Sequence, residues 1–134
     1  MKTHIVDYEV ISNMPQYLLL LHDDASGWAK LNADERKWWM EKYGAYREGL
    51  KAKKAWVGGQ KLADDPGRVL RGAGDNVRVT DGPYSETKEW LGGYFLIEAP
   101  NYKAAVELAR DCPTLLHGGT IELREVDART PNPT

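Results

Sequence analysis

Tyr17-Leu18-Leu19-Leu20-Leu21 is an uninterrupted apolar run that ends at the polar residues His22-Asp23-Asp24. Consecutive large apolar residues between polar boundaries are typical of a β-strand that is covered on both faces. Tyr94-Phe95-Leu96-Ile97 is a second run of this kind, directly after Gly92-Gly93. The two runs predict two buried strands.

A long amphipathic helix is predicted after the first strand. Asn32 is placed to cap the helix N-terminus, and Glu35 three residues later completes a capping box. The large apolar residues then recur at helical spacing and form one stripe, which consists of Trp39, Tyr43, Tyr46 and Leu50. This spacing favours packing in a core or a dimer interface over a cofactor platform.

A second helix is predicted to begin at Pro100-Asn101 and to end at Pro113, because proline interrupts helical hydrogen bonding. Its apolar face consists of Ala105, Leu108, Ala109 and Cys112. We expect Cys112 to be a small core residue.

The remaining predicted strands complete the order of elements. They cover residues 3–11, 55–59, 68–70 and 76–80 (a hairpin around residues 72–75), and 118–126. The resulting order is β-α-β, a hairpin insertion, then β-α-β. It predicts an α+β fold, a ferredoxin-like β-α-β-β-α-β sandwich with a hairpin insertion.

Two helices can cover only one face of a four-stranded sheet, yet the two apolar runs do not alternate with polar residues. An uncovered apolar face of this size usually marks a partner surface. We therefore expect a homodimer that packs sheet against sheet, a dimeric α+β barrel. The alternative is that the N-terminal segment or the polar, glycine-rich insertion at residues 64–80 folds over this face.

Composition limits the other classes of function. The chain of 134 residues has room for one domain, and its formal net charge of −2 gives no electrostatic case for nucleic acid or an anionic membrane as partner. Its single cysteine excludes an internal disulfide, and no apolar stretch approaches the roughly 20 residues of a membrane span. These features favour the cytoplasm.

His22 is the first candidate for chemistry. A histidine at the exit of a buried strand can act as a general acid or base, and the adjacent Asp23 could fix its tautomer. Neighbouring residues of a strand point to opposite faces, however, so Asp23 need not touch His22. For this pair alone, the favoured alternative is a strand-ending histidine that is hydrogen-bonded to a loop.

Asp81-Gly82-Pro83 has the chemistry of a turn, which explains these three residues without a function. Glu86 and Lys88 follow the turn and are two residues apart, so in an extended chain their side chains lie on the same side. There they could pair or bind a polar ligand. The pair Gly92-Gly93 indicates close approach of a backbone, either to another strand or to a ligand.

His117 precedes Gly118-Gly119 at the entry to the last strand. A metal site would need His22 and His117 to converge with a carboxylate such as Asp81, which spacing alone does not indicate. We predict no metal and no cofactor. The sequence also lacks a P-loop and the GxGxxG, HExxH and GxSxG motifs.

The residues from Asp81 onward resemble a known signature. Asp81-Gly82-Pro83-Tyr84-x-Glu86-x-Lys88-Glu89-x-x-Gly92-Gly93-Tyr94 is similar to the DGPF signature of the YCII-related family, with Tyr84 where phenylalanine is usual. The closing stretch Gly119-Thr120-Ile121-Glu122-Leu123-Arg124 also fits that family, and the resemblance extends over residues 14–126.

The resemblance implies a dimeric ferredoxin-like α+β barrel, similar in outline to muconolactone isomerase. The His–Asp site proposed for the family implies His22 and Asp81 as catalytic residues here. The residues expected to line a pocket for a small polar ligand are Glu86, Lys88, Tyr84 and Gly93. Related chains begin near Met14, so residues 1–13 are interpreted as an extension, 14–127 as the domain and 128–134 as a tail.

Two functions fit these residues, and the sequence leaves enzymatic activity open. One is a small-molecule lyase or isomerase that uses the His–Asp pair. The other is a non-catalytic ligand-binding or regulatory module, which the resemblance links to extracytoplasmic-function sigma factors. A purely structural dimer, without a pocket, is the third interpretation.

Overall fold

The computed structural model describes residues 14–82 and 89–128. The strands in these ranges are β1 (Gln16–Asp24), β2 (Trp56–Lys61), β3 (Arg68–Arg71), β4 (Arg78–Asp81), β5 (Glu89–Glu98) and β6 (Thr120–Glu125). The helices are α1 (Ala25–Ala29), α2 (Ala33–Ala52), α3 (Tyr102–Ala109) and α4 (Pro113–Leu116). The predicted α+β class is confirmed, while the strand predicted at residues 3–11 lies outside the described residues.

Four strands form one sheet in the order β2-β5-β1-β6, with every neighbouring pair antiparallel. The two apolar runs pair at its centre, where Tyr17 lies opposite Ile97 and Leu19 opposite Phe95. These four side chains are buried and form the core with the helices.

The other face of the central strands is only partly covered within one chain. Leu18 and Leu20 of β1 are half-buried, as are Tyr94 and Leu96 of β5. We call this surface, together with His22, the open face. Burial therefore alternates along β1, whereas the uninterrupted apolar run led us to expect cover on both faces.

Helix α2 begins with the predicted capping box. The side-chain Oδ1 of Asn32 accepts a hydrogen bond from the backbone N–H of Glu35 at 2.8 Å, and Oε1 of Glu35 accepts one from the backbone N–H of Asn32 at 2.9 Å. The predicted stripe faces the sheet: Leu50 is buried, and the aromatic residues Tyr43 and Tyr46 pack against the core.

The second predicted helix is divided in the structure. Asn101 caps α3 by accepting from the backbone N–H of Ala104, but α3 already ends at Ala109. Pro113 opens the separate helix α4 instead of ending α3, because proline lacks only an N–H that the first helical turn does not need. Cys112 between them is fully buried, as predicted.

Strands β3 and β4 form the predicted hairpin as a separate two-stranded sheet. Its apolar residues Leu70 and Val79 are 63% and 58% exposed. The hairpin therefore does not bury these side chains on the open face, which was one alternative to a dimer.

Candidate functional site

A cavity of about 300 Å³ lies between the helix-covered face of the sheet and α2. Its floor includes Leu21, Asp23 and Phe95, and its wall on α2 includes Tyr43 and Arg47. This volume lies at the lower end of the range for small-molecule sites. The structure thus contains the pocket that a purely structural dimer would lack.

Asp23 and His117 meet beside this cavity. The Nδ1 atom of His117 lies 3.3 Å from Oδ1 of Asp23, and the two side chains are 16% and 26% exposed. Asp23 lies on the same face of β1 as Leu21, whereas His22 lies on the open face, in agreement with the alternation expected for a strand.

Tyr43 connects this pair to a buried hydroxyl. Its hydroxyl oxygen lies 3.0 Å from Nε2 of His117 and 2.7 Å from Oγ1 of Thr114, both within hydrogen-bond distance. Thr114 is only 1% exposed. Burial raises the pKa of Tyr43 above its ordinary value, so the phenol is protonated at neutral pH.

These contacts limit where the protons can lie. A carboxylate can only accept, so a hydrogen bond between Asp23 and His117 requires the proton on Nδ1 of His117. In neutral His117, Nε2 then accepts from the Tyr43 hydroxyl. In the imidazolium form, Nε2–H donates to the Tyr43 oxygen and leaves the phenolic proton free for another acceptor.

Two local features place these side chains. The pairing of β1 with β5 shifts between Leu21 and His22, and such an irregularity re-aims the side chains near a strand end. On the other side, Gly119 approaches so closely that an added Cβ would lie 2.7 Å from the backbone oxygen of His22 and from Cγ2 of Thr114. A glycine there brings α4, and with it His117, against β1.

Charged groups mark the rim of the cavity. Nζ of Lys61 lies 2.7 Å from Oδ1 of Asp64 and 5.3 Å from the centroid of the Trp28 ring. Arg47 also lines the cavity, but it forms no ion pair or hydrogen bond with any other residue in the described ranges.

The structure does not bring the predicted catalytic residues His22 and Asp81 together. Nε2 of His22 lies 3.3 Å from Oε1 of Glu122. A hydrogen bond from Arg124 and then the contact with His22 lower the pKa of the Glu122 carboxyl. Asp81 lies at the end of the hairpin, where its Oδ1 is 3.5 Å from Nη1 of Arg68. A separate catalytic role of either residue stays a prediction.

The predicted ligand-binding residues divide into two groups. Gly93 lines the cavity, and an added Cβ there would lie 2.8 Å from the backbone oxygen of Gln60, so the close approach is to strand β2. The others, Tyr84, Glu86 and Lys88, lie outside the described residues.

Sequence reasoning missed Tyr43 and Thr114 as site residues and did not connect His117 with Asp23. Tyr43 was assigned to the helix stripe, where it does lie, but its hydroxyl extends past the core to His117. The available signal was the pair Gly118-Gly119 directly after His117, which indicates a close approach of backbone to its neighbours.

No helix within residues 14–82 and 89–128 combines the length and apolarity needed to cross a bilayer. Within the same ranges, no three histidine, cysteine or carboxylate side chains are grouped as a metal site would require.

The fold and the cavity together define a small α+β protein with a ligand-sized site between its sheet and its helices. The chain belongs to the YCII-related domain family, whose model matches residues 15–128. It is also 31% identical, over 98 residues, to an uncharacterised protein of Rhizobium meliloti (strain 1021), and the match covers 71% of this chain and 77% of that protein. The predicted family resemblance is thereby confirmed.

Proposed function

We propose that this protein is a small-molecule isomerase or lyase that transfers a proton in the cavity, with Asp23 as base and Tyr43 as hydrogen-bond donor. The observation that carries the proposal is that His117 contacts Asp23 through one ring nitrogen and Tyr43 through the other, while both partners line the cavity. A histidine held at both nitrogens is oriented for proton chemistry and not merely packed.

Asp23 supplies the base. Among the described residues, its polar contacts are with Nδ1 of His117 and with the backbone N–H of Asp24, and both use Oδ1. Oδ2 is therefore available to accept a proton from a carbon atom next to a carbonyl group.

Tyr43 supplies the donor. A neutral phenol can hydrogen-bond to the carbonyl oxygen of a ligand and stabilise the negative charge that grows there as the proton leaves the carbon. The phenolic proton reaches the ligand in the form in which His117 is protonated, because Nε2–H then donates to the phenolic oxygen instead of accepting from it.

Asp23 carries the proton in both reaction types. In an isomerisation, Asp23 takes a proton from one carbon and returns it to another. In an elimination, the leaving group departs with its bonding electrons, and Asp23 later releases the proton to water.

The proposed assembly is a homodimer with a ferredoxin-like sheet in each copy. The antiparallel strand order β2-β5-β1-β6 supports that topology. The half-buried Leu18, Leu20 and Leu96 of the open face support a second copy of the chain as its cover, since exposing several large apolar side chains together is costly.

The test measures deuterium incorporation from D2O into a panel of small 2-oxo and 3-oxo acids by proton NMR. The wild type is expected to accelerate exchange for at least one compound, and Asp23→Asn to slow that exchange about a hundredfold or more. His22→Gln and Asp81→Asn distinguish the two possible sites. If either variant slows deuterium exchange as much as Asp23→Asn does, the reaction does not take place at Asp23 alone and the proposed site is wrong.

A non-catalytic ligand-binding module is the alternative, and the same experiment separates it. In that case the wild type binds compounds of the panel, as measured by calorimetry, but accelerates exchange in none of them.

A further inference from the structure

One charged group of the cavity lining has no charged partner among the described residues. Two carboxylates and two cations line it, and three of these four already have partners: Lys61 pairs with Asp64, and Asp23 pairs with His117. Arg47 is the remaining charged group of the lining, without an ion pair or hydrogen bond in the described part of the chain.

Arg47 lies where it can serve the same ligand as Tyr43. It follows Tyr43 by one turn of α2, so both side chains lie on one face of the helix. Its Nη2 atom is 3.8 Å from the position that a Cβ of Gly44 would occupy, so the guanidinium extends back along the helix over Gly44.

The rest of the lining is largely apolar and aromatic. Trp28, Trp90 and Phe95 supply flat surfaces, and Met40 and Leu21 complete the apolar part. Aromatic rings favour a planar ligand body that can stack against them or meet their edges. The volume of about 300 Å³, at the lower end of the range for small-molecule sites, favours a small ligand body.

We propose that the cavity binds a small monocarboxylate with a flat aromatic or unsaturated body, whose carboxylate pairs with the guanidinium of Arg47. The planar fork of an arginine matches a carboxylate with two parallel hydrogen bonds. The opposite end of such a ligand then lies toward Asp23 and Tyr43.

The same charges disfavour a phosphate. A phosphate monoester carries nearly two negative charges near neutral pH, and Arg47 offers one free positive charge. The second negative charge would find no further unpaired cation in the described lining, where the other charged groups include the carboxylates Asp23 and Asp64.

This inference rests on the cavity of the proposed enzyme, but its test measures binding alone. Titration calorimetry compares benzoate with benzamide, its neutral analogue of equal shape, and with phenyl phosphate. We expect benzoate to bind the wild type more tightly than either analogue. We also expect Arg47→Gln to lower the affinity for benzoate about tenfold to hundredfold and to leave the affinity for benzamide unchanged. The preference for benzoate would thus be abolished.

Two controls make the result specific. Arg110→Gln removes the same charge directly after α3, where Arg110 pairs with Glu107 and does not line the cavity, and this variant should bind benzoate as the wild type does. Arg47→Lys should retain part of the affinity, because lysine keeps the positive charge but cannot form the two parallel hydrogen bonds of a guanidinium.

The inference is overturned if benzoate fails to bind at millimolar concentration, if Arg47→Gln binds it as the wild type does, or if either analogue binds as tightly. Arg47-dependent benzoate binding without any deuterium exchange would sustain the inference and reject the proposed reaction. Deuterium exchange that requires Asp23, together with benzoate binding that does not depend on Arg47, would sustain the proposed reaction and reject the inference.

Discussion

The side chains of Asp23 and His117 meet at 3.3 Å, although Asp23 lies near the end of the first strand and His117 follows the last helix. The contact joins β1 to the segment that leads into β6, on the helix-covered face of the sheet. It forms only when both ends of the domain have folded, so it reports on the complete fold as well as on the site.

A double-mutant cycle should detect this contact. We expect Asp23→Asn and His117→Gln to be coupled by about 0.5–3 kcal/mol in the free energy of unfolding, since residues that share a hydrogen-bond network are not additive. Urea denaturation measures the four proteins of the cycle. The cycle of His22→Gln with Asp81→Asn serves as control and should show no coupling. Coupling of equal size in both cycles would contradict this description of the site.

Tyr43 and Tyr46 provide a matched pair for separating stability from activity. Both are partly buried on α2 and hydrogen-bonded through their hydroxyls, Tyr43 to Thr114 and His117, and Tyr46 to the backbone oxygen of Leu108 at 2.7 Å. Replacement by phenylalanine should lower the free energy of unfolding by about 1 kcal/mol in each case.

Only Tyr43→Phe should affect chemistry. It removes the donor that faces the cavity, and we expect a loss of about a hundredfold in kcat/KM for the exchange reaction, measured by proton NMR. Tyr46→Phe should keep the rate of the wild type, because Tyr46 is not part of the cavity lining. Equal losses in the two variants would indicate a general effect on folding.

The two tyrosines should also make the fold sensitive to alkali. Burial raises the pKa of Tyr43 and of Tyr46 above the ordinary value of 10.0. In the unfolded chain both phenols ionise near that value, so above it the unfolded state binds fewer protons than the native state. The free energy of unfolding therefore stays constant with respect to these groups below pH 10.0 and falls as the pH rises further.

Urea denaturation on both sides of pH 10.0 checks this dependence. The variant with both tyrosines replaced by phenylalanine should lose less stability over the same interval. If the absorbance of the phenolates shows that both tyrosines ionise at their ordinary pKa in the folded protein, the expectation is wrong.

The features that sequence alone predicted correctly are local ones. The capping box of Asn32 and Glu35 depends on residues three apart, and the stripe of α2 depends on helical spacing, so neither needs knowledge of the rest of the chain. The hairpin β3–β4 likewise forms between neighbouring segments. Even the alternation of His22 and Asp23 between the two faces of β1 followed from strand geometry.

The site could not be derived in this way because its residues meet only through the tertiary fold. Parity places Asp23 on the helix-covered face, but no local pattern indicates that His117 lies opposite to it. Pro113 was expected to end a helix, while in the structure it begins the short helix α4 that positions Thr114. The equally short helix α1 gave no periodic signal. The family resemblance directed attention to His22 and Asp81, whose contacts are with Glu122 and Arg68.

The proposed homodimer predicts that charge on the open face separates the copies. Leu18 and Leu96 lie opposite each other on β1 and β5. The double variant Leu18→Lys/Leu96→Lys should be monomeric at micromolar concentration, whereas the wild type should be dimeric, as measured by light scattering after gel filtration. Val106→Lys, at a 41% exposed position on α3, is the control and should remain a dimer. A monomeric wild type would reject the dimer.

Gly119 should be a glycine of the site that tolerates no side chain. A Cβ there would approach the backbone oxygen of His22 and Cγ2 of Thr114 to 2.7 Å, which is closer than real contacts allow. We expect Gly119→Ala to lower the free energy of unfolding by about 1–3 kcal/mol, because backbone and α4 must shift to relieve the overlap. The shift would also move Thr114 away from the Tyr43 hydroxyl.

Gly49→Ala is the matched control for this prediction. Gly49 lies within α2, and apart from its chain neighbours and the helix's own backbone no atom lies within 4 Å of the position of an added Cβ. Alanine has the higher helix propensity, so this variant should be more stable than the wild type by about 0.5–1 kcal/mol. Urea denaturation of both variants measures the two shifts. If Gly119→Ala is as stable as the wild type, α4 does not lie as close to β1 as the structure has it, and the positions of Thr114 and His117 beside Asp23 would need revision.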